Sequence, residues 1–142
     1  MRRRFDEHFA DRPRLPKNWI DVYISTDNGQ TWKFLSKVAE TDLGKQNGNP
    51  PSLLRLGENR ILVTCGYRAV PYGIRARISD DLGQSWSEVI HLRDDGRTFD
   101  LGYTRSVKRT DGKVVTIYYY TNELNREQHI AATIWDPDVL YY

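Results

Sequence analysis

The sequence predicts an all-β fold of antiparallel strands, and three observations carry that reading. Short runs rich in β-branched and aromatic residues recur along the 142 residues, each halted by a Gly, Asp or Asn turn. No segment after residue 20 keeps the 3.6-residue apolar period of a helix. A stretch over residues 22–32 returns over residues 76–86, so the chain contains an internal repeat. Hydrophobic residues at 39%, charged residues at 28% and a net charge of +2 fit one globular domain and exclude a low-hydropathy, highly charged disordered chain.

The first element, residues 1–19, reads as a basic N-terminal arm. It carries Arg2, Arg3, Arg4, Arg12, Arg14 and Lys17 against Asp6, Glu7 and Asp11. It lacks the aromatic interleaving of a nucleic-acid binder, so we expect a solvated, partly ordered end and no nucleic-acid partner. No apolar run approaches the ~18 residues of a membrane span, and no membrane partner is expected. No apolar h-region follows the charged start. The expectation is therefore no signal peptide and a cytoplasmic location by default, with secretion the alternative for a truncated N-terminus.

Residues 20–142 read as strands in sequence. Residues 20–25 alternate and stop at Asp27-Asn28-Gly29; residues 52–56 end at Gly57-Glu58-Asn59, after which residues 60–65 resume. Residues 74–79 alternate strictly and halt at Asp80-Asp81-Leu82-Gly83. Residues 106–109, the turn Thr110-Asp111-Gly112, residues 113–120 and residues 130–135 bring the runs read in this way to seven. Arg75 and Arg77 should share one strand face, and the run Tyr118-Tyr119-Tyr120 should point partly inward and partly outward, with core packing the favoured role.

Both copies of the repeat read Ser-x-Asp-x-Gly-x-[Ser/Thr]-Trp, over residues 25–32 and 79–86. Asp27 and Asp81 are suited to accept backbone N–H bonds within their own turns, and Gly29 and Gly83 to supply a positive φ. The hydroxyls of Ser25, Thr31, Ser79 and Ser85 can close each hairpin, while Trp32 and Trp86 are expected to bury their rings between neighbouring sheets. These turns are too short and hold too few acids for a calcium cage. His8, His91 and His129 are scattered, and Cys65 sits alone in an apolar strand, so no metal site, cofactor or nucleophilic triad is expected.

The repeat resembles the Asp-box, or bacterial neuraminidase repeat, of the sialidase superfamily. In that family the box caps the hairpin between the third and fourth strands of a propeller blade. The resemblance implies antiparallel four-stranded blades. Residues 20–39 would be the last two strands of one blade, residues 51–93 a complete blade, and residues 102–136 three strands of another. The last turn degenerates into Trp135-Asp136-Pro137-Asp138. Six blades of four strands need ~24 strands, so nine strands make an incomplete ring of about two blades. Open β edges invite pairing, hence an expectation of self-association, with a trimer as one closure of the ring.

The resemblance also implies a site. Sialidases hold a substrate carboxylate with arginines, whose planar guanidinium groups grip it bidentately. They use a tyrosine nucleophile with a glutamate base and an aspartate acid/base. On this template Gly102-Tyr103-Thr104-Arg105 is the nucleophile strand, with Tyr103 catalytic. Arg68 is a carboxylate-binding arginine, and Arg105 shares the face of Tyr103 and binds an anion beside it. Asp100 is the candidate acid, although with Asp94 and Asp95 it also reads as a solvated loop. Where the glutamate is expected, Asn49-Pro50-Pro51-Ser52-Leu53-Leu54 has prolines. The implied function is a sialidase-like protein, a fragment or divergent member, that acts on or binds a carbohydrate, with an anionic sugar held by the arginines. If it is an enzyme, it is an exo-acting glycosidase. The alternative is a non-catalytic β-repeat module for glycan binding or self-assembly, and the missing carboxylate beside Tyr103 is what separates the two.

Overall fold

A computed structural model describes residues 18–43 and 48–139, together with the backbone alone of residues 2–5, 8–9, 12–13 and 17. Three short strands open the chain: β1 (Arg2–Phe5), β2 (His8–Phe9) and β3 (Arg12–Pro13). Nine further strands follow among the described residues, in line with the number expected from the blade template. They are β4 (Lys17–Ile24), β5 (Lys33–Glu40), β6 (Ser52–Arg55), β7 (Ile61–Tyr67), β8 (Tyr72–Ser79), β9 (Ile90–Gly96), β10 (Gly102–Lys108), β11 (Val114–Tyr120) and β12 (His129–Trp135). All pair antiparallel. Three sheets make blades in the orders β1-β4-β5, β6-β7-β8-β9 and β10-β11-β12, and β2 pairs with β3.

The middle blade is covered on both sides, which explains its sequence. Strand β7 is buried almost along its whole length because its two faces feed different seams. Val63 and Cys65 join Ile20 and Val38 against the first blade. Leu62 joins Leu56, Ala76, Ile78, Val114 and Trp135 against the third. A third cluster, Ile74, Leu101, Tyr118 and Tyr120, closes the far end of that second seam. Each fully buried aliphatic side chain of this kind contributes roughly 1.5–3 kcal/mol.

Polar stitches accompany the apolar packing. Thr64 Oγ1 lies 2.9 Å from Ser106 Oγ, which lies 3.0 Å from Thr116 Oγ1, and Trp135 Nε1 donates to Thr116 Oγ1 at 3.1 Å. Arg60 pairs with Asp80 at 3.0 Å and donates to Pro137 O at 2.9 Å, tying the second blade to the degenerate turn of the third. These contacts satisfy hydroxyls that would otherwise be buried unpaired.

Three expectations need correction. Residues 2–5, expected in a solvated arm, pair with β4 with Arg2 opposite Ile20, giving the first blade a third strand. Asp94 and Asp95, grouped with Asp100 as a solvated loop, lie in β9, where Asp95 takes a bidentate pair from Arg93 at 2.6 and 2.7 Å. Trp32 is not buried between sheets: it is 62% exposed, because no neighbouring blade lies against its face among the described residues. Its counterpart Trp86 is partly buried at the first seam and donates Nε1 to Ser36 Oγ at 2.9 Å.

Candidate functional site

The two Asp-boxes have the same internal geometry. Ser25 Oγ donates to Asp27 Oδ1 at 2.7 Å and accepts from Gly29 N at 2.7 Å. Thr31 N and Thr31 Oγ1 donate to the two carboxylate oxygens of Asp27 at 2.9 and 2.5 Å. In the second box Ser79 Oγ bonds Asp81 Oδ1 and Gly83 N, each at 2.7 Å, and Ser85 donates to Asp81 from N at 2.9 Å and Oγ at 2.6 Å. The hydroxyl and amide donors hold both carboxyl groups well below the usual range, from 3.8 to about 2. Each turn contains two consecutive positive-φ residues, Asn28–Gly29 and Leu82–Gly83. Every Asp-box carboxylate oxygen is thus occupied in holding the turn.

A second group of polar residues gathers where the middle and third blades meet. The chain enters β6 through Asn49, which is 0% exposed. Its Nδ2 donates to Leu101 O at 2.8 Å, and its Oδ1 accepts from Gly66 N and Tyr103 N, each at 3.1 Å. Gly102 packs so closely on this amide that a Cβ there would lie 2.3 Å from Asn49 Nδ2. At Gly102 φ is 115°, and at Tyr103 it is 50°, a strained value for a bulky residue. A register irregularity between Gly102 and Arg105 accompanies the strain. The backbone of the candidate tyrosine is therefore held out of regular β geometry by a buried amide from another blade.

Arg68 reaches the same place from β7. Its N–H donates to Thr41 O at 2.8 Å, and its guanidinium Nη2 donates to Tyr119 Oη at 2.9 Å and Leu101 O at 3.3 Å. Tyr119 Oη donates onward to Asp100 Oδ1 at 2.7 Å, and Gln128 Nε2 donates to Asp100 Oδ2 at 2.5 Å. Burial, reinforced by the Asp100 bond and opposed by the Arg68 charge, pushes the Tyr119 hydroxyl up to about 12, so it stays protonated at neutral pH. The Tyr103 ring lies 5.6 Å from that of Tyr119, tilted by 37°, and is 54% exposed.

The structure thus brings Arg68, Asp100 and Tyr103 together through Tyr119. Arg105 lies on the exposed parity of β10 with Tyr103, and its Nη1 donates to Thr104 O at 2.9 Å. Asn49, Tyr119 and Gln128 were missed in the sequence. The alternation of β11 holds a signal for Tyr119, since Tyr118 and Tyr120 share the buried parity and Tyr119 the other. Asn49 stands where a glutamate was expected nearby, and it supplies an amide, not a base. Among the described residues nothing hydrogen-bonds the Tyr103 hydroxyl, and no group of three or more His, Cys, Asp or Glu is placed to hold a metal.

Comparison with known proteins fits this geometry. The family model of the BNR/Asp-box repeat matches residues 23–34. No curated protein matches the chain by sequence. Among solved structures, a protein of unknown function from Dyadobacter fermentans is similar at 29% identity and a TM-score of 0.54, over 84% of this chain and 45% of that one. A point mutant of the NanB sialidase from Streptococcus pneumoniae is similar at 22% identity and a TM-score of 0.54, over 92% of this chain and 19% of that one. NanB with Optactamide aligns at 23% identity and a TM-score of 0.51, over 82% and 17%. The chain spans less than half the length of each of these structures. With its Asp-box turns and its stacked antiparallel blades, the chain has a sialidase-like BNR-repeat fold of the β-propeller type.

Proposed function

We propose that the chain is a carbohydrate-binding portion of a sialidase-like propeller, and that Tyr103, Tyr119, Arg68 and Asp100 form one wall of its site. The observation that supports this most is the strained, half-exposed Tyr103 stacked beside a Tyr119 whose hydroxyl connects a buried arginine to an aspartate. Aromatic faces pack on the apolar face of a sugar ring, while a carboxylate and a guanidinium take its hydroxyls or its anionic group. Arg105, on the same exposed parity, would add charge for an anionic sugar. Glycoside hydrolysis is the second reading, favoured by the exposed phenol of Tyr103. It needs a base from outside this wall, because Asp100 is engaged by Tyr119 and Gln128.

Titration with sialyllactose and its neutral counterpart lactose tests binding, and release of fluorophore from a sialoside tests turnover. Binding of sialyllactose that weakens about tenfold in Tyr103→Ala, a loss of ~1.4 kcal/mol, is the expected result. Turnover that disappears in Tyr103→Phe would establish the hydrolytic reading. Equal affinity in wild type and Tyr103→Ala would remove this wall from the site.

A further inference from the structure

A cavity of about 470 Å³ opens at the other seam, between β5 of the first blade and β7, β8 and β9 of the second. It shares no lining residue with the Tyr103 wall. Val38, Val63, Val70 and Val89 supply much of its surface, and Arg75, Arg77 and His91 supply its cationic and polar groups. Its size lies within the ~300–1,000 Å³ of small-molecule sites. We propose that this cavity binds a small monocarboxylate with an apolar body, a ligand and a site distinct from the carbohydrate reading above.

The charges argue for an anion. Arg75 is only 6% exposed and spends Nη1 on Arg93 O at 2.9 Å and Nη2 on Pro71 O at 3.0 Å, with its guanidinium over the Tyr67 ring at 5.2 Å. Among the described residues no carboxylate forms an ion pair with it. Burial lowers the Arg75 pKa from its ordinary value, and the charge of Asp94 is the first influence opposing that shift. Arg77 lines the same space, and its Nε is shielded from solvent with no hydrogen-bond partner. An unmet buried donor on a cation carries a desolvation cost that a bound carboxylate would offset. Among the described residues Glu40 is the one acid in the lining, and it takes the Lys37 ammonium at 3.0 Å. His91 is held below its ordinary pKa, by burial first and the Arg75 charge second, so the neutral-pH charge is that of the arginines.

The same inventory narrows the ligand. Two of the five N–H donors of Arg75 are used on carbonyls, and the Glu40 carboxylate in the lining opposes a dianion such as phosphate more strongly than a monocarboxylate. Valine walls offer no partners to a ring of sugar hydroxyls. Cys65, also in the lining, has its thiol pushed up to about 12 by burial, so the binding is non-covalent.

Valine-methyl NMR of the full chain tests the proposal with phenylacetate and its neutral isostere phenylacetamide. Phenylacetate is expected to shift the methyls of Val38, Val63 and Val89 while those of Val114, in the other seam, stay still. Phenylacetamide should bind about tenfold more weakly, and Arg77→Gln should lower phenylacetate affinity about tenfold. Unchanged Val114 signals report that a variant is folded. Should Arg77→Gln fail to fold, Val89→Phe fills the cavity without touching either cation and is expected to abolish the shifts. Absence of phenylacetate shifts in the wild type overturns the proposal. So does equal affinity for the amide, or undiminished affinity in the folded variant.

Discussion

Asp81 concentrates its hydrogen bonds within its own turn: Ser79, the Ser85 amide and the Ser85 hydroxyl all meet one carboxylate. Because these donors favour the ionised form, the folded pKa is about 2 against the ordinary 3.8. A depressed folded pKa means the unfolded chain binds more protons across that interval. The stabilisation is therefore complete above about 3.8 and is lost as pH falls towards about 2. Asp27, held alike by Ser25 and Thr31, adds a second loss over the same window. Asp81→Asn should lower the melting temperature at neutral pH and flatten its decline on acidification, because one of the two titrating carboxylates is gone. Thermal scans across that window check this. Parallel wild-type and mutant curves would mean that the carboxylate does not hold the turn. Both boxes were legible in the sequence because every one of these bonds spans four residues or fewer.

At the scale of the element, what was legible and what was not separates by range. Strands β4, β6 to β8 and β10 to β12 announced themselves through local runs and turn residues, β5 and β9 came from the four-stranded blade template, and burial on both faces explains why β7 reads as a nearly continuous apolar run. Of the proposed wall, Tyr103, Arg68 and Asp100 were candidates in the sequence because the resemblance to the sialidase template put a site there. Asn49 and Tyr119 act through bonds to partners 17 to 54 residues away, which no local pattern encodes. The two tryptophans show the same limit. One motif places both, yet the neighbouring blade decides their fate: Trp86 meets Ser36 on β5, and Trp32 meets solvent. Fully buried aromatics cost ~3–5 kcal/mol on truncation, so Trp86→Ala, at a partly buried seam, should cost ~2 kcal/mol. At protein concentrations where the chain is monomeric, Trp32→Ala should stay within ~0.5 kcal/mol of wild type. Urea midpoints of the two variants decide the matter, and equal losses would show that the ring contributes within its own turn and not across the seam.

The whole molecule ends in two unlike apolar faces. On the first blade Trp32 and Phe34 are exposed, and on the third Val107, Ile117, Ile130 and Ile134 are exposed. Tyr103 and Arg105 lie on the exposed parity of β10, so the proposed carbohydrate wall runs from the junction of the middle and third blades onto the third blade's open side, where an added blade would supply its opposite wall. The internal seam already shows how one blade accepts the Asp-box of the next, through Trp86 and the Ser36 hydroxyl bonded to Gly83 O. Copies of the chain could repeat that arrangement head to tail, and a heterologous contact that closes gives a ring. Light scattering coupled to size exclusion should then report a mass above that of one chain, rising with concentration to a fixed multiple. Because a head-to-tail contact consumes one face of each kind, Trp32→Asp and Ile130→Asp should each return the protein to a single-chain mass. Association through the Trp32 face alone, related by a two-fold axis, would be lost in Trp32→Asp and would survive Ile130→Asp. A single-chain mass for the wild type at every concentration would mean that further copies do not supply the missing blades. The carbohydrate wall would then gain its opposite side only from additional polypeptide.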